Sequence, residues 1–233
     1  MIDKIFQLIK KSRYAIRWLS VSFPLRSEFG YCAANVQLNY PMRIECPKNV
    51  CIYDNVQIQP GLFIINASTE KIIIKKYCSF AANVTLAPNS HVCTVSIPQF
   101  LLGYSHINDK TSDLVIEEDC WLGTGCKILS GANLRRGCVV GAGSVVTKEI
   151  PPYAVVVGSP AKIVAVKFSI EQILEHEKHL YSENERLSYE YLKELFDKYY
   201  KGMKVFGLPN ELDEIKLEKL HWAKGATRFV EPY

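Results

Sequence analysis

Residues 115–150 read VIEEDCWLGTGCKILSGANLRRGCVVGAGSVVTKEI, and their hydrophobicity repeats every six residues. Long or branched apolar side chains fall at Ile116, Leu122, Ile128, Leu134, Val140 and Val146. Four places after each of the first five stands a small residue: Cys120, Cys126, Ala132, Cys138 and Ser144. Neither a helix, with its period of roughly 3.6, nor an alternating strand gives a sixfold repeat with two inward positions per unit. A parallel β-helix does, because each hexad is one short strand plus a corner, and large and small residues share the interior. Three hexads close one triangular coil of about eighteen residues. That period stacks Cys120 on Cys138 and Cys126 on Ser144.

Toward the N-terminus the pattern begins raggedly over Val36 to Ile44 and becomes regular at Ile52, Ile58 and Ile64. An insertion at Asn66–Lys71 interrupts it, and the register resumes at Ile74, Phe80, Leu86 and Val92. Residues 96–113, SIPQFLLGYSHINDKTSD, carry no hexads and read as an irregular loop projecting from the coils. Such loops carry function because a rigid scaffold positions them. Pro151-Pro152 lack the amides to continue a ladder and mark the expected end of the coils. From Ser169 the period is helical. Ser169-Ile170-Glu171-Gln172 and Ser182-Glu183-Asn184-Glu185 are capping boxes, predicting helices over 169–180 and 185–201. Residues 202–233 read as an irregular tail.

Composition narrows the function classes. A hydrophobic content of 48% with 22% charged residues describes a globular chain. A net charge of +4 without a run of basic residues gives little support to nucleic-acid binding. Eight cysteines include no C-x-x-C pair and no finger or ribbon spacing. Several fill the small inward slot of a hexad, so packing explains them. Free thiols in that number suit a reducing compartment and point to the cytoplasm. Residues 1–23 mix apolar Ile2, Ile5, Phe6 and Ile9 with basic Lys4, Lys10, Lys11, Arg13 and Arg17. Arg17 interrupts any signal-peptide core, and no stretch reaches the ~18–20 apolar residues of a membrane span. Two readings stand for this segment: a cap over the first coil, or an amphipathic contact with a membrane surface.

The hexads, together with the ending Gly141-Ala142-Gly143-Ser144 through Gly158-Ser159-Pro160-Ala161-Lys162, resemble the hexapeptide-repeat acyltransferases, and within them the galactoside, antibiotic and polysaccharide O-acetyltransferase branch. The resemblance covers roughly residues 35–166. It implies a mainly β fold: a left-handed parallel β-helix (35–166) with a projecting loop, an N-terminal capping segment (1–34) and a C-terminal helical extension (167–233). It also implies a homotrimer with active sites between subunits, and acetyl-CoA as co-substrate with no metal.

By the same resemblance His91, in Asn89-Ser90-His91 and followed by Pro98-Gln99-Phe100, is the general base. An inserted Gln99 separates the Pro from the aromatic residue. The chemistry agrees: a neutral imidazole, with a pKa near ~6.5, can take the proton of an attacking hydroxyl at neutral pH. His106, inside the loop, is the rival base or an acceptor contact. Asn83 and Asn89 belong to the acceptor side. Trp121, in Trp121-Leu122-Gly123, follows inward Cys120 and so points outward, where the resemblance places it at the acceptor and acyl site. Gly123, Ala142 and Ser144 lie along the implied coenzyme path, and Lys148 and Lys162 match basic positions near its phosphates. As a glycine loop Gly141–Ser144 lacks the helix start of a P-loop, and its residues also serve simply as tight corners. For the two lysines a solvated surface is the competing reading.

The expected activity is direct transfer of an acetyl group to a hydroxyl or amine of a saccharide. Antibiotic inactivation and a non-catalytic scaffold are the alternatives. A zinc enzyme on the same coils would need three converging histidines, and only His91 falls in the coils.

Overall fold

The computed structural model describes residues 11–16, 18–19, 22–66 and 69–232. The chain winds a three-faced prism, visiting the same three parallel sheets in turn. The first face stacks Tyr31–Cys32, Val50–Ile52, Ile72–Ile74 and Leu114–Ile116, and single bridges extend it through Leu134 to Ile150. The second stacks Gln37–Leu38, Gln57–Ile58, Ser79–Phe80, Trp121–Leu122, Val139–Val140 and Ala154–Gly158. The third stacks Arg43–Ile44, Phe63–Ile64, Thr85–Ala87, Lys127–Leu129 and Val145–Val146. In the later coils Trp121 pairs with Val139 and Lys127 with Val145, the eighteen-residue step read from the hexads.

The inward positions are those of the repeat. Ile116, Leu122, Ile128, Leu134, Val140 and Val146 are buried, as are Cys120, Cys126, Ala132, Cys138 and Ser144 between them. Each fully buried Ile or Leu contributes about 1.5–3 kcal/mol relative to exposure. The thiols form a column: Cys78 Sγ donates to the Glu117 carbonyl, Cys120 to Arg135 and Cys138 to Pro151. Burial holds the thiols of Cys78 and Cys138 well above their usual range, which keeps them protonated as donors.

Several boundaries differ from the sequence expectation. Val92 is not in the coils: the chain leaves after Ala87, and Asn89–His91 pairs antiparallel with Asp109–Thr111. The excursion expected to be irregular is therefore a hairpin arm. Its tip is the short helix α1 (Gln99–Ser105), anchored by buried Leu102 and ended by His106 at φ 55. Pro151 and Pro152 do not end the prism, because they sit at a corner where no ladder amide is required. The chain continues through Ala154–Gly158 and returns antiparallel as Ala161–Val166.

The Ser169 capping box starts helix α2 (Ile170–Leu180) as expected. The Ser182 box closes only the 3-10 turn Glu183–Glu185; Ser188 caps the next helix, α3 (Tyr189–Leu195), which continues as a π-turn to Tyr200. The tail contains a fourth helix, α4 (Glu214–Thr227), capped by Asp213. No residue of α4 is buried, which is why the sequence carries no amphipathic signal for it.

The capping segment expected near the N-terminus lies partly outside the described residues. At the first coil, Arg26 donates to the carbonyls of Ala33 and Val36 and Phe29 is buried, satisfying the opening strand edge.

Candidate active site

The hairpin arm brings His91 and His106 onto one carboxylate that the sequence reading did not single out. Asp109 accepts from His91 Nδ1 at 2.8 Å through Oδ1, and from His106 Nδ1 at 2.9 Å through Oδ2. The register supplies this geometry, since His91 is the cross-strand partner of Asp109. The left-handed turn at His106 then brings the second imidazole back over the same group. The rings are 5.3 Å apart, and the Asp109 side chain is only 10% exposed while those of His91 and His106 are 37% and 61% exposed. The hydrogen bonds from His91 and then His106 hold the Asp109 carboxyl below the usual carboxylate range. The signal available in the sequence was His106-Ile107-Asn108-Asp109, but its partner His91 is eighteen residues earlier.

A carboxylate on Nδ1 fixes the imidazole tautomer: the proton sits on Nδ1, and Nε2 keeps its lone pair. The donor atoms of His91, His106 and Asp109 lie within 4.8 Å of one another, close enough to hold a metal ion. Here each Nδ1 already meets an Asp109 oxygen, and the shared acceptor by itself accounts for their convergence.

The other expected site residues are distributed over the prism. Asn89 is in the hairpin, paired with Thr111. Asn83 occupies a corner at φ 61, and its side chain fills the space where Gly61 lacks a Cβ. Trp121 is 47% exposed on the second face, in a cleft of about 380 Å³ shared with Ser79, Val139, Lys167, Phe168 and Phe206. Gly123 packs so closely on the next coil that a Cβ would stand 2.6 Å from the Ala142 amide nitrogen. Ala142 is exposed at the facing corner. The Ser144 side chain faces the interior, where its hydroxyl accepts from the Gly158 amide. Lys148 and Lys162 are exposed, and neither makes an ion pair among the described residues. His91 does not line the cleft at Trp121.

A separate polar cluster fastens the C-terminal helices to the coils. Asp119 accepts from Lys167 Nζ at 2.6 Å and His176 Nε2 at 3.0 Å. Buried Glu177 accepts from the Tyr153 hydroxyl (2.9 Å), Arg136 Nη1 (3.2 Å) and the Leu187 amide (2.6 Å). These groups are saturated by one another, as a structural role requires.

Comparison with known proteins agrees with this architecture. Residues 113–148 match the family model described as the hexapeptide repeat of succinyl-transferase. Over this segment the chain is similar to the hexapeptide-repeat acetyltransferases. It is 34% identical over 116 residues to a chloramphenicol acetyltransferase of Morganella morganii, an overlap of 45% of this chain and 55% of that protein. A hexapeptide-repeat acetyltransferase of Vibrio cholerae O1 biovar eltor, solved with acetyl coenzyme A, superposes with a TM-score of 0.57 at 22% identity, covering 68% of this chain and 87% of the other. A maltose O-acetyltransferase of Clostridium difficile 630 gives 0.55 at 24% identity, covering 70% and 89%. The chain spans about half the length of the curated relatives it matches.

Proposed function

We propose that this chain transfers an acetyl group from acetyl-CoA to a hydroxyl of a saccharide, with His91 as general base and Asp109 as the group that orients it. The observation that carries the reading is the 2.8 Å contact between His91 Nδ1 and Asp109 Oδ1 on a projecting arm. His91 Nε2 takes the acceptor hydroxyl proton as the new carbon–oxygen bond forms, and returns it to the thiol leaving group as the carbon–sulfur bond breaks. Asp109 stabilises the imidazolium formed between these steps without itself taking the proton. The prism is read as left-handed, as in the family. His106 shares the Asp109 carboxylate and lies on the acceptor side with Asn89.

Trp121, with Gly123 and Ala142 at adjacent corners, is read as the acyl and coenzyme face, and Lys148 and Lys162 as its phosphate contacts. His91 lies outside the cleft at Trp121, and a site formed between subunits of a trimer is read as the arrangement that unites them. Antibiotic acetylation is the second reading, favoured by the Morganella morganii relative.

A thiol-release assay with acetyl-CoA against a panel of glycosides and chloramphenicol tests the proposal. Glycoside-dependent release, lowered at least about a hundredfold by His91→Ala, supports it. Release with chloramphenicol alone selects the second reading. Release from the wild type that survives His91→Ala removes His91 as the base.

A further inference from the structure

The charge of the chain is concentrated in one place. Residues 1–23 carry five basic residues and one acidic residue, while the remaining 23 basic and 23 acidic residues of 24–233 cancel. The whole net charge of +4 therefore belongs to this short segment, and the body is neutral.

The described part of the segment is helical at residues 11–16. It leaves exposed the side chains that a helix packed on a core would bury: Ile16 is 65% and Leu19 51% exposed, while Tyr14 and Trp18, also largely exposed, line a groove with Pro41, Met42 and Phe63. Lys11 and Arg13 are exposed beside them. The segment is nevertheless attached to the body. Trp18 meets Phe23, Phe23 meets Tyr40, and the Met42 amide donates to the Ser22 carbonyl at the first coil.

An exposed apolar face of this kind marks an interaction surface, and its charge decides between occupants. A second copy of the same segment would bring +4 against +4. An anionic lipid surface meets both features: basic side chains stay among the headgroups, while Ile and Leu enter the acyl boundary. We propose that this segment docks the protein on an anionic bilayer surface, lying in the interfacial plane with Ile16 and Leu19, three residues apart on one face, inserted. The prism is then held beside the membrane through the Phe23–Tyr40 contact.

The test uses the full chain and does not depend on the acetylation reading. Co-sedimentation is measured with vesicles of equal parts phosphatidylglycerol and phosphatidylcholine, and with phosphatidylcholine alone. Binding is expected to the mixed vesicles only, and to weaken as salt is raised. Lys11→Gln with Arg13→Gln should weaken it about 25-fold, about fivefold for each charge. Ile16→Asp should abolish it with the thermal midpoint unchanged, because that side chain is largely exposed. Absence of binding to the anionic vesicles overturns the proposal, as does binding that Ile16→Asp leaves intact. Self-association lost in Ile16→Asp, without vesicle binding, assigns the face to a second copy instead.

Discussion

Asp109 Oδ1 lies 2.8 Å from Nδ1 of His91, on the opposite strand of a hairpin that projects from the coils. The other oxygen of the same carboxylate holds His106 at 2.9 Å, so two imidazoles share one orienting group. Only their different positions on the arm separate the roles: His91 is in a strand, and His106 is the residue that ends α1.

This separation predicts unequal variants. His91→Ala should lower turnover by roughly two or more powers of ten, and His106→Ala by much less. Asp109→Asn should lower it by an intermediate factor, because the imidazolium formed during transfer loses its counter-charge. Steady-state kinetics over pH measure all three. A larger loss in His106→Ala than in His91→Ala reverses the assignment.

Lys148 and Lys162 should act on the coenzyme alone. Replacing either with Ala should raise KM for acetyl-CoA several-fold at low ionic strength and leave that for the acceptor nearly unchanged. A phosphate contact remote from the reacting carbonyl is equally strong in ground and transition states. Each exposed contact contributes about 1 kcal/mol and is screened by salt, so the effect should fade as salt is added. A fall in turnover with unchanged KM for acetyl-CoA would remove both from the coenzyme path.

Asp119 makes the docking of the C-terminal helices sensitive to acid. Burial alone would raise its carboxyl, but the hydrogen bond from His176 and the charge of Lys167 outweigh burial and hold it below the usual range. A folded-state value below the unfolded one gives stability that is present above the unfolded pKa of about 3.9 and lost as pH falls through the depressed value. Wild type should therefore lose more stability than Asp119→Asn as pH falls below the unfolded carboxylate value of about 3.9. Asn also accepts the left-handed backbone found here at φ 58. Parallel acid slopes in thermal or urea unfolding would contradict this.

Glu177, on α2, accepts from Tyr153 and Arg136 of the coils and so joins coil to helix. Glu177→Ala removes the acceptor of the Tyr153 hydroxyl and of the Leu187 amide, while the Arg136 guanidinium keeps Glu118 and the Glu185 carbonyl. A cost of about 1–3 kcal/mol for each of these two buried donors is expected, against about 1 kcal/mol for Tyr153→Phe, which removes one neutral donor. Chemical denaturation of the two variants measures the difference.

The sequence alone determined the interior of the prism. Every large and small hexad position from Ile116 to Val146 is buried, and the stacking of Cys120 on Cys138 follows from a register that each coil passes to the next. Inwardness here is a local property: each side chain packs on its counterpart eighteen residues away, so periodicity suffices to read it. His91 could be singled out by its flanking residues, but Asp109 could not. Its meeting with His91 depends on hairpin register, and its meeting with His106 depends on a left-handed residue at the end of a seven-residue helix. Neither relationship repeats along the chain. The cleft at Trp121 likewise needed tertiary structure, since Phe168 and Phe206 reach it from beyond the repeats. Where contacts recur at a fixed step, composition records them; where a turn or a returning segment makes a contact once, only the folded chain decides which side chains meet.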